Sequence, residues 1–190
     1  MSDVKSIILV GVGGQGAILV SKVLTKGLIK AGYDVKMSEV HGMSQRGGSV
    51  STQVRFGTKV YSPIIGKGQA DILVSFEKME AVRYADFLKP AGTAVINDYE
   101  IVPMNVAAGE ETYPEGIIEE VQNNFNTVVL DAAKIAMELG NSKCMNIVLF
   151  GAMVKALDLD DIDWEEALRE TLPEKILEIN LKAYRAGFDA

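Results

Sequence analysis

Ser6-Ile-Ile-Leu-Val-Gly11 is a short, continuous apolar run that passes without a break into Gly11-Val-Gly-Gly-Gln-Gly16. A run this short and this uniformly apolar suits a strand buried on both faces. The glycines that follow suit a tight turn at its end. From about Gln15 to Ala31 the pattern becomes helical: Lys22, Lys26 and Lys30 recur at every fourth position, while Leu19 or Val20, Val23, Leu24 and Leu28 share the opposite, inward face. Gly32 stops that helix, and Asp34 opens a second strand, Val35 to Val40. The first forty residues therefore read as a βαβ unit.

A polar, glycine-containing segment follows, His41-Gly-Met-Ser-Gln-Arg-Gly-Gly48. Beyond it Val50, Thr52, Val54 and Phe56 alternate with Ser51, Gln53 and Arg55, the period of a half-buried strand. Gly57-Thr58 suggests a tight hairpin turn into a partner strand at Lys59-Val-Tyr-Ser62, so an antiparallel ribbon is expected to interrupt the parallel pattern. The α/β rhythm then resumes. Asp71 to Phe76 is a strand, Glu77 to Leu88 a helix, Lys89 to Gly92 a break, Thr93 to Asn97 a strand, and Thr127 to Leu130 the last strand, with Asp131 capping a helix to Leu139. The remainder reads as wholly helical. Asp163 with Glu166 and Thr171 with Glu174 have capping-box spacing, and Pro173 sits where a first helical turn tolerates proline. The expectation is α/β: one Rossmann-like domain over residues 1–190, with a mostly parallel sheet, an inserted antiparallel ribbon and a helical C-terminus.

Composition narrows the chemistry. The 190 residues are 48% hydrophobic and 24% charged, the balance of a chain able to bury a core. A formal charge of −7 speaks against nucleic acid, whose binders concentrate Lys and Arg. The single cysteine, Cys144, cannot hold an iron–sulfur cluster, which needs about four thiolates. The single histidine, His41, rules out sites built from several imidazoles, although a carboxylate-only Mg²⁺ or Ca²⁺ site stays open. No apolar run approaches the roughly 20 residues that span a bilayer, and Met1 to Lys5 lacks the features of a secretory signal. A soluble, cytoplasmic protein with no membrane partner is expected.

Two stretches carry candidate chemistry. Gly11, Gly13 and Gly16 fit G-x-G-x-x-G between a strand and a helix, with Gly14 and Gln15 adding backbone freedom and a polar side chain. A helix N-terminus there offers unpaired N–H groups to a phosphate, and Glu39 lies near the end of the second strand, where a ribose-binding acid would sit. Equally, these glycines suit close helix–strand packing or a partner surface. In the second stretch, Arg46 carries a fixed charge, Gly47 and Gly48 can present backbone amides to an anion, and His41, Ser44 and Gln45 add hydrogen-bonding groups. Such a loop suits a ligand site or a subunit contact. Gly16 is followed by Ala17-Ile18 and not Lys-Ser or Lys-Thr, so this is not a P-loop. Gly42-Met-Ser-Gln-Arg46 begins like a nucleophile elbow but ends in arginine. Cys144 sits in an apolar helical pattern as a small hydrophobe, Asn146 and Gly151 suit close helix packing, and Asp158, Asp160, Asp161 and Asp163 form a solvated, capping turn.

These residues resemble a known family. Ile8 to Leu24 (ILVGVGGQGAILVSKVL), Ser38 to Gly57 (SEVHGMSQRGGSVSTQVRFG) and Ala70 to Tyr84 (ADILVSFEKMEAVRY) are similar to the gamma-type subunit of 2-oxoacid:ferredoxin oxidoreductases, in its arylpyruvate (indolepyruvate) branch. Asn146 to Met153 follows the family more loosely. The resemblance implies a division of labour. Thiamine diphosphate, its Mg²⁺ and the iron–sulfur clusters sit on a larger catalytic partner; a 2-oxoacid loses CO₂, its acyl group passes to coenzyme A, and two electrons pass singly to ferredoxin. This chain then carries no cofactor and no catalytic residue of its own. Gly11, Gly13, Gly14, Gln15 and Gly16 become a ligand- or partner-binding loop, and His41, Ser44, Gln45, Arg46, Gly47 and Gly48 a loop facing the partner or the active site. Without its partner, a chain with an uncovered apolar surface would be prone to pair with a second copy. The competing reading from the glycine loop is a stand-alone nicotinamide-nucleotide-binding oxidoreductase.

Overall fold

The computed structural model describes residues 4–41 and 47–190. Among them six strands form one sheet: β1 (Lys5–Val12), β2 (Asp34–His41), β3 (Ser49–Gly57), β4 (Ala70–Ser75), β5 (Leu88–Asn97) and β6 (Asn126–Leu130), in the spatial order β2-β3-β1-β4-β5-β6. β1, β4, β5 and β6 are parallel, whereas β3 is antiparallel to both its neighbours. The sheet is thus mostly parallel with an antiparallel insertion, as its sequence pattern implies.

Both faces are covered, and this accounts for the unbroken apolar run in β1. Ile7 and Leu9 point into the core beneath α1 (Ala17–Lys30) and α6 (Met145–Ala156). Ile8 and Val10 point into a second core beneath α2 (Lys78–Tyr84) and α4 (Ile117–Asn124). A strand with two dry faces has no polar side to alternate. The first core is completed by α5 (Ala132–Glu138), α7 (Trp164–Arg169) and α8 (Glu174–Asp189); the one-turn α3 (Met104–Ala107) stands apart from both cores. In α1, Val20, Val23, Leu24 and Leu28 are fully buried. Lys26 and Lys30 reach Glu166 and Glu170 beside α7, at 2.6 to 3.3 Å. These exposed pairs align the two helices and add little stability.

The ribbon is assembled differently from the sequence expectation. Lys59 to Ser62 form no strand; β3 pairs with β2 on one side (His41 opposite Val50) and with β1 on the other (Val12 opposite Ser49). Residues 58–66 instead cross back over β3 as a strap held by side chains. The Val60 N–H donates to Asp34 Oδ2 at 2.9 Å and the Ile65 N–H to Gln53 Oε1 at 2.7 Å, while Arg55 donates to the Ser62 and Ile64 carbonyls. Val60 and Ile65 bury their side chains, and Pro63 has no N–H to give to a ladder. Three further boundaries move. The helix after β4 ends at Tyr84; β5 begins at Leu88 through an irregular register, with Gly92 closely approached by the Ala70 carbonyl; and Thr171 donates to the Ala167 carbonyl, leaving Pro173 as the N-cap of α8. Asp131 and Asp163 do cap their helices.

The strap gives a pH-dependent contact. Hydrogen bonds from Lys36 and from the Val60 amide, in that order, hold the Asp34 carboxyl down at about 2, below its ordinary 3.8. A lowered folded value means the stabilisation is complete above the ordinary value and is lost as pH falls through about 2. Hydrogen-exchange protection of the Val60 amide is therefore expected to decline across that acid window. It should stop varying there in Asp34→Asn; an unchanged decline in that variant refutes the assignment.

Candidate functional site

The carboxyl ends of β1 and β2 and the amino end of β3 share one edge of the sheet, and there the two glycine stretches meet. The Gly13 N–H donates to the Gly48 carbonyl at 2.8 Å, and the Gly47 N–H returns to the Gly13 carbonyl at 3.4 Å. Stretches 34 positions apart thus form one backbone-paired rim. Gly47 takes φ of 80°, Gly14 of 106° and Gly16 of 85°, all in the left-handed region that disfavours side chains. Ser44, Gln45 and Arg46 lie outside the described residues. His41 ends β2 opposite Val50, and its side chain lies outside the description as well.

Behind the rim is a cavity of about 450 Å³. Gly13 to Ile18 form one wall; Glu39 and Val40 on β2, with Val50, Ser51 and Thr52 on β3, form the other. Helix α1 begins on the first wall. No side chain caps it, no acid lies in its first turn, and among the described residues the N–H groups of Gly14, Gly16, Ala17 and Ile18 have no acceptor. Amides at a positive dipole end favour an anionic group. Glu39 is the only ionisable side chain among the described lining residues, and it accepts from Ser21 Oγ at 3.3 Å. Because β3 separates β2 from β1, Glu39 stands two strand spacings from the glycine turn, roughly 10 Å and not 5. The dinucleotide fingerprint needs its acid on the adjacent strand. This geometry disfavours the nicotinamide-nucleotide reading.

Two carboxamides, Gln15 and Asn146, fasten the glycine turn from below, and a third, Asn97, shares the Phe76 carbonyl with Gln15. Gln15 Oε1 accepts from the Val12 N–H and its Nε2 donates to the Phe76 carbonyl, both at 2.8 Å. Its side chain is therefore committed to joining β1 to β4. Asn97, fully buried, donates to the same carbonyl and accepts from the Ala132 N–H at 3.0 Å. Asn146 Nδ2 donates to the Gly16 carbonyl, and a Cβ on Gly16 would fall 2.3 Å from that nitrogen. Asn146 thus packs on the turn itself and not only between helices. A Cβ on Gly11 would meet Gln15 Oε1 at 2.8 Å and Phe76 Cβ at 2.9 Å. Gly11 and Gly16 therefore serve close approach, while Gly13, Gly47 and Gly48 build the rim.

Sequence reasoning passed over two acids. Glu77 is 2% exposed and accepts from the Glu80 N–H, the Ile101 N–H and Tyr113 OH. Burial and then this carboxylate push the Tyr113 hydroxyl far above its usual range. Glu80 is 4% exposed and accepts from Ser49 Oγ and from Arg83 Nε. The available signal was an acid immediately after a buried strand, with a second acid three positions later. Near Glu77 lies a second, polar cavity of about 590 Å³, into which Lys78, Asp98, Glu100 and Tyr113 project. Cys144 is buried, donates to the Asn141 carbonyl, and has its thiol pushed up by burial, which makes it neither ligand nor nucleophile. Among the described residues no three His, Cys, Asp or Glu side chains are placed to hold a metal, and no helix is long and apolar enough to cross a membrane.

Comparison with known proteins gives a consistent set of likenesses. Residues 6–190 match the family model described as pyruvate ferredoxin/flavodoxin oxidoreductase. The sequence is 41% identical to indolepyruvate oxidoreductase subunit IorB of Pyrococcus horikoshii, covering 97% of this chain and 95% of that one. It is 39% identical to the same subunit of Thermococcus kodakarensis, with the same coverage. Among solved structures, the keto/oxoacid ferredoxin oxidoreductase gamma subunit of Geobacter sulfurreducens superposes with a TM-score of 0.72 at 24% identity, over 97% of this chain and 96% of that one; it shares the fold.

Proposed function

Because the chain belongs to the pyruvate ferredoxin/flavodoxin oxidoreductase family, we propose that it is the small subunit of an indolepyruvate:ferredoxin oxidoreductase and supplies one wall of that enzyme's substrate path. The reaction is oxidative decarboxylation: a 2-oxoacid and coenzyme A become an acyl-CoA and CO₂, while two electrons go to ferredoxin. The observation that carries this reading is the glycine-rimmed cavity, which among the described residues has amides without an acceptor to offer an anion and a single ionisable group on its walls. Such a cavity suits completing a site shared with a partner.

The chain's own donors do not fit the cofactors. One cysteine, buried and bonded to a carbonyl, cannot ligate an iron–sulfur cluster. In this reading the clusters, together with thiamine diphosphate and its Mg²⁺, sit on a larger partner, where they would supply electron relay and decarboxylation. This chain binds and orients. The amides of Gly14, Gly16, Ala17 and Ile18 take an anionic group, either the 2-oxoacid carboxylate or a phosphate of coenzyme A. On the sequence alone, His41, Ser44, Gln45 and Arg46 are assigned to contact with the partner or the active site, Arg46 supplying a fixed positive charge. Both substrates are anionic, so amides and a guanidinium suit them. This reading takes the complex to work in the cytoplasm.

The test is anaerobic reconstitution with the purified partner, reading viologen reduction by indolepyruvate and coenzyme A. Activity should require both chains. Arg46→Ala should weaken assembly or raise the KM for 2-oxoacid or coenzyme A about tenfold, the scale of one lost charge-assisted hydrogen bond. Unchanged assembly and kinetics would sink this reading.

A further inference from the structure

We propose that Glu80 is a positioning residue for the glycine-rimmed cavity, acting through Ser49 to hold the start of β3 against the glycine turn; this rests on the cavity serving the assembled enzyme as described above. Among the described residues, Glu77 and Glu80 are the two acids that are buried. Burying a carboxylate is costly unless its bonds are needed. For Glu77 three acceptor bonds account for it: one caps α2 and two secure residues 101–113. Glu80 lies in the first turn of α2, where the helix dipole favours a carboxylate whether or not it is buried. Its Oε1 pairs with Arg83, whose side chain is 54% exposed, so that pair contributes little. What remains is the bond from Ser49 Oγ to Glu80 Oε2.

Ser49 is where that bond matters. It is the first residue of β3 and stands opposite Val12, the last residue of β1. Gly48, immediately before it, accepts from Gly13; Val50 to Thr52, immediately after it, form the far wall of the cavity. A single line of contacts therefore runs from α2 through Glu80 and Ser49 to the rim. The β1–β3 ladder and the two glycine backbone bonds hold that corner through the main chain, and the bond to Glu80 adds a side-chain anchor from α2. The spacing between the cavity's walls is then set from the opposite face of the sheet.

The experiment uses the reconstituted complex with Glu80→Leu, Glu80→Gln, Ser49→Ala and the Glu80→Leu/Ser49→Ala double variant. Glu80→Leu and Ser49→Ala should each raise the KM for coenzyme A or 2-oxoacid about fivefold, the scale of one lost hydrogen bond, with kcat within about twofold. Glu80→Gln keeps an acceptor for Ser49 and should restore KM, and the double variant should be no worse than either single one. Melting shifts with unchanged KM, or additive effects on KM, overturn the proposal. If Glu80→Leu fails to fold, Ser49→Ala alone decides. If Arg46→Ala alters kinetics while both Glu80→Leu and Ser49→Ala leave them unchanged, this inference fails alone; if none does, the cavity reading fails with it.

Discussion

Gly151→Ala is expected to destabilise the isolated chain by about 3 kcal/mol, at the upper end of overpacking effects, and to lower its melting temperature by about 10 °C for a chain of this length. The sign is the informative part. In an isolated helix, Ala for Gly is stabilising by about 1 kcal/mol. Here α6 crosses α8 at Gly151, and an added Cβ would fall 2.1 Å from the Tyr184 carbonyl oxygen and 2.7 Å from the Phe188 nitrogen. Both are backbone atoms, so no rotamer change relieves the clash and the helices must separate. Residues Asn146 to Val154 of α6 are buried along its length, so separation also opens the main core. Gly187→Ala offers a control. Its Cβ would fall still closer, 1.8 Å from the Val148 carbonyl oxygen, yet Gly187 lies in the last turn of α8, which can swing outward. Gly187 is itself buried, so the variant should also destabilise, but by less than Gly151→Ala because only the last turn has to move. Thermal melts of the two variants check this directly. A neutral or raised melting temperature for Gly151→Ala would mean that α6 and α8 do not cross there.

The second large effect is functional. Val50→Trp projects an indole from β3 into the cavity of about 450 Å³. Val50 is part-exposed at that wall, so the larger side chain has room and the melting temperature should move little. In the reconstituted complex, kcat/KM should fall about a hundredfold, equivalent to roughly 2.7 kcal/mol of lost transition-state binding. Two measurements locate the cause. Loss of activity with normal assembly means that the cavity receives a substrate; loss of assembly means that it receives a segment of the partner chain. Full activity in both assays removes the cavity from the function.

Much of this was legible in local pattern. Ile7 to Val10 read as a two-faced buried strand because a continuous apolar run has no solvated side, and α1 showed its inner face through period alone. The turn Gly11 to Gly16 was legible because glycine at fixed offsets after a strand has few other uses. The carboxamides were harder to see. Gln15 reads as a polar side chain in a ligand- or partner-binding loop, and only the carbonyl of Phe76, 61 positions away, shows what it bonds. Asn97 and Glu80 likewise act through partners that periodicity does not reveal, Ala132 in one case and Ser49 in the other.

The sequence by itself determined that this is an α/β chain with a glycine turn after its first strand, that a strand of mixed character interrupts the parallel order, and that it has too few Cys and His side chains for an iron–sulfur cluster or a multi-imidazole site. Only the tertiary structure decided that β3 lies between β1 and β2, that residues 58–66 form a strap and not a strand, and that Gly13 pairs with Gly47 and Gly48. The reason is physical. Side-chain period and backbone preference are properties of neighbours along the chain, so they specify an element and its faces. Which strand lies beside which is settled by long-range burial and by side chains such as Asp34, Gln53 and Arg55, whose hydrogen-bonding partners exist only after the chain has folded back.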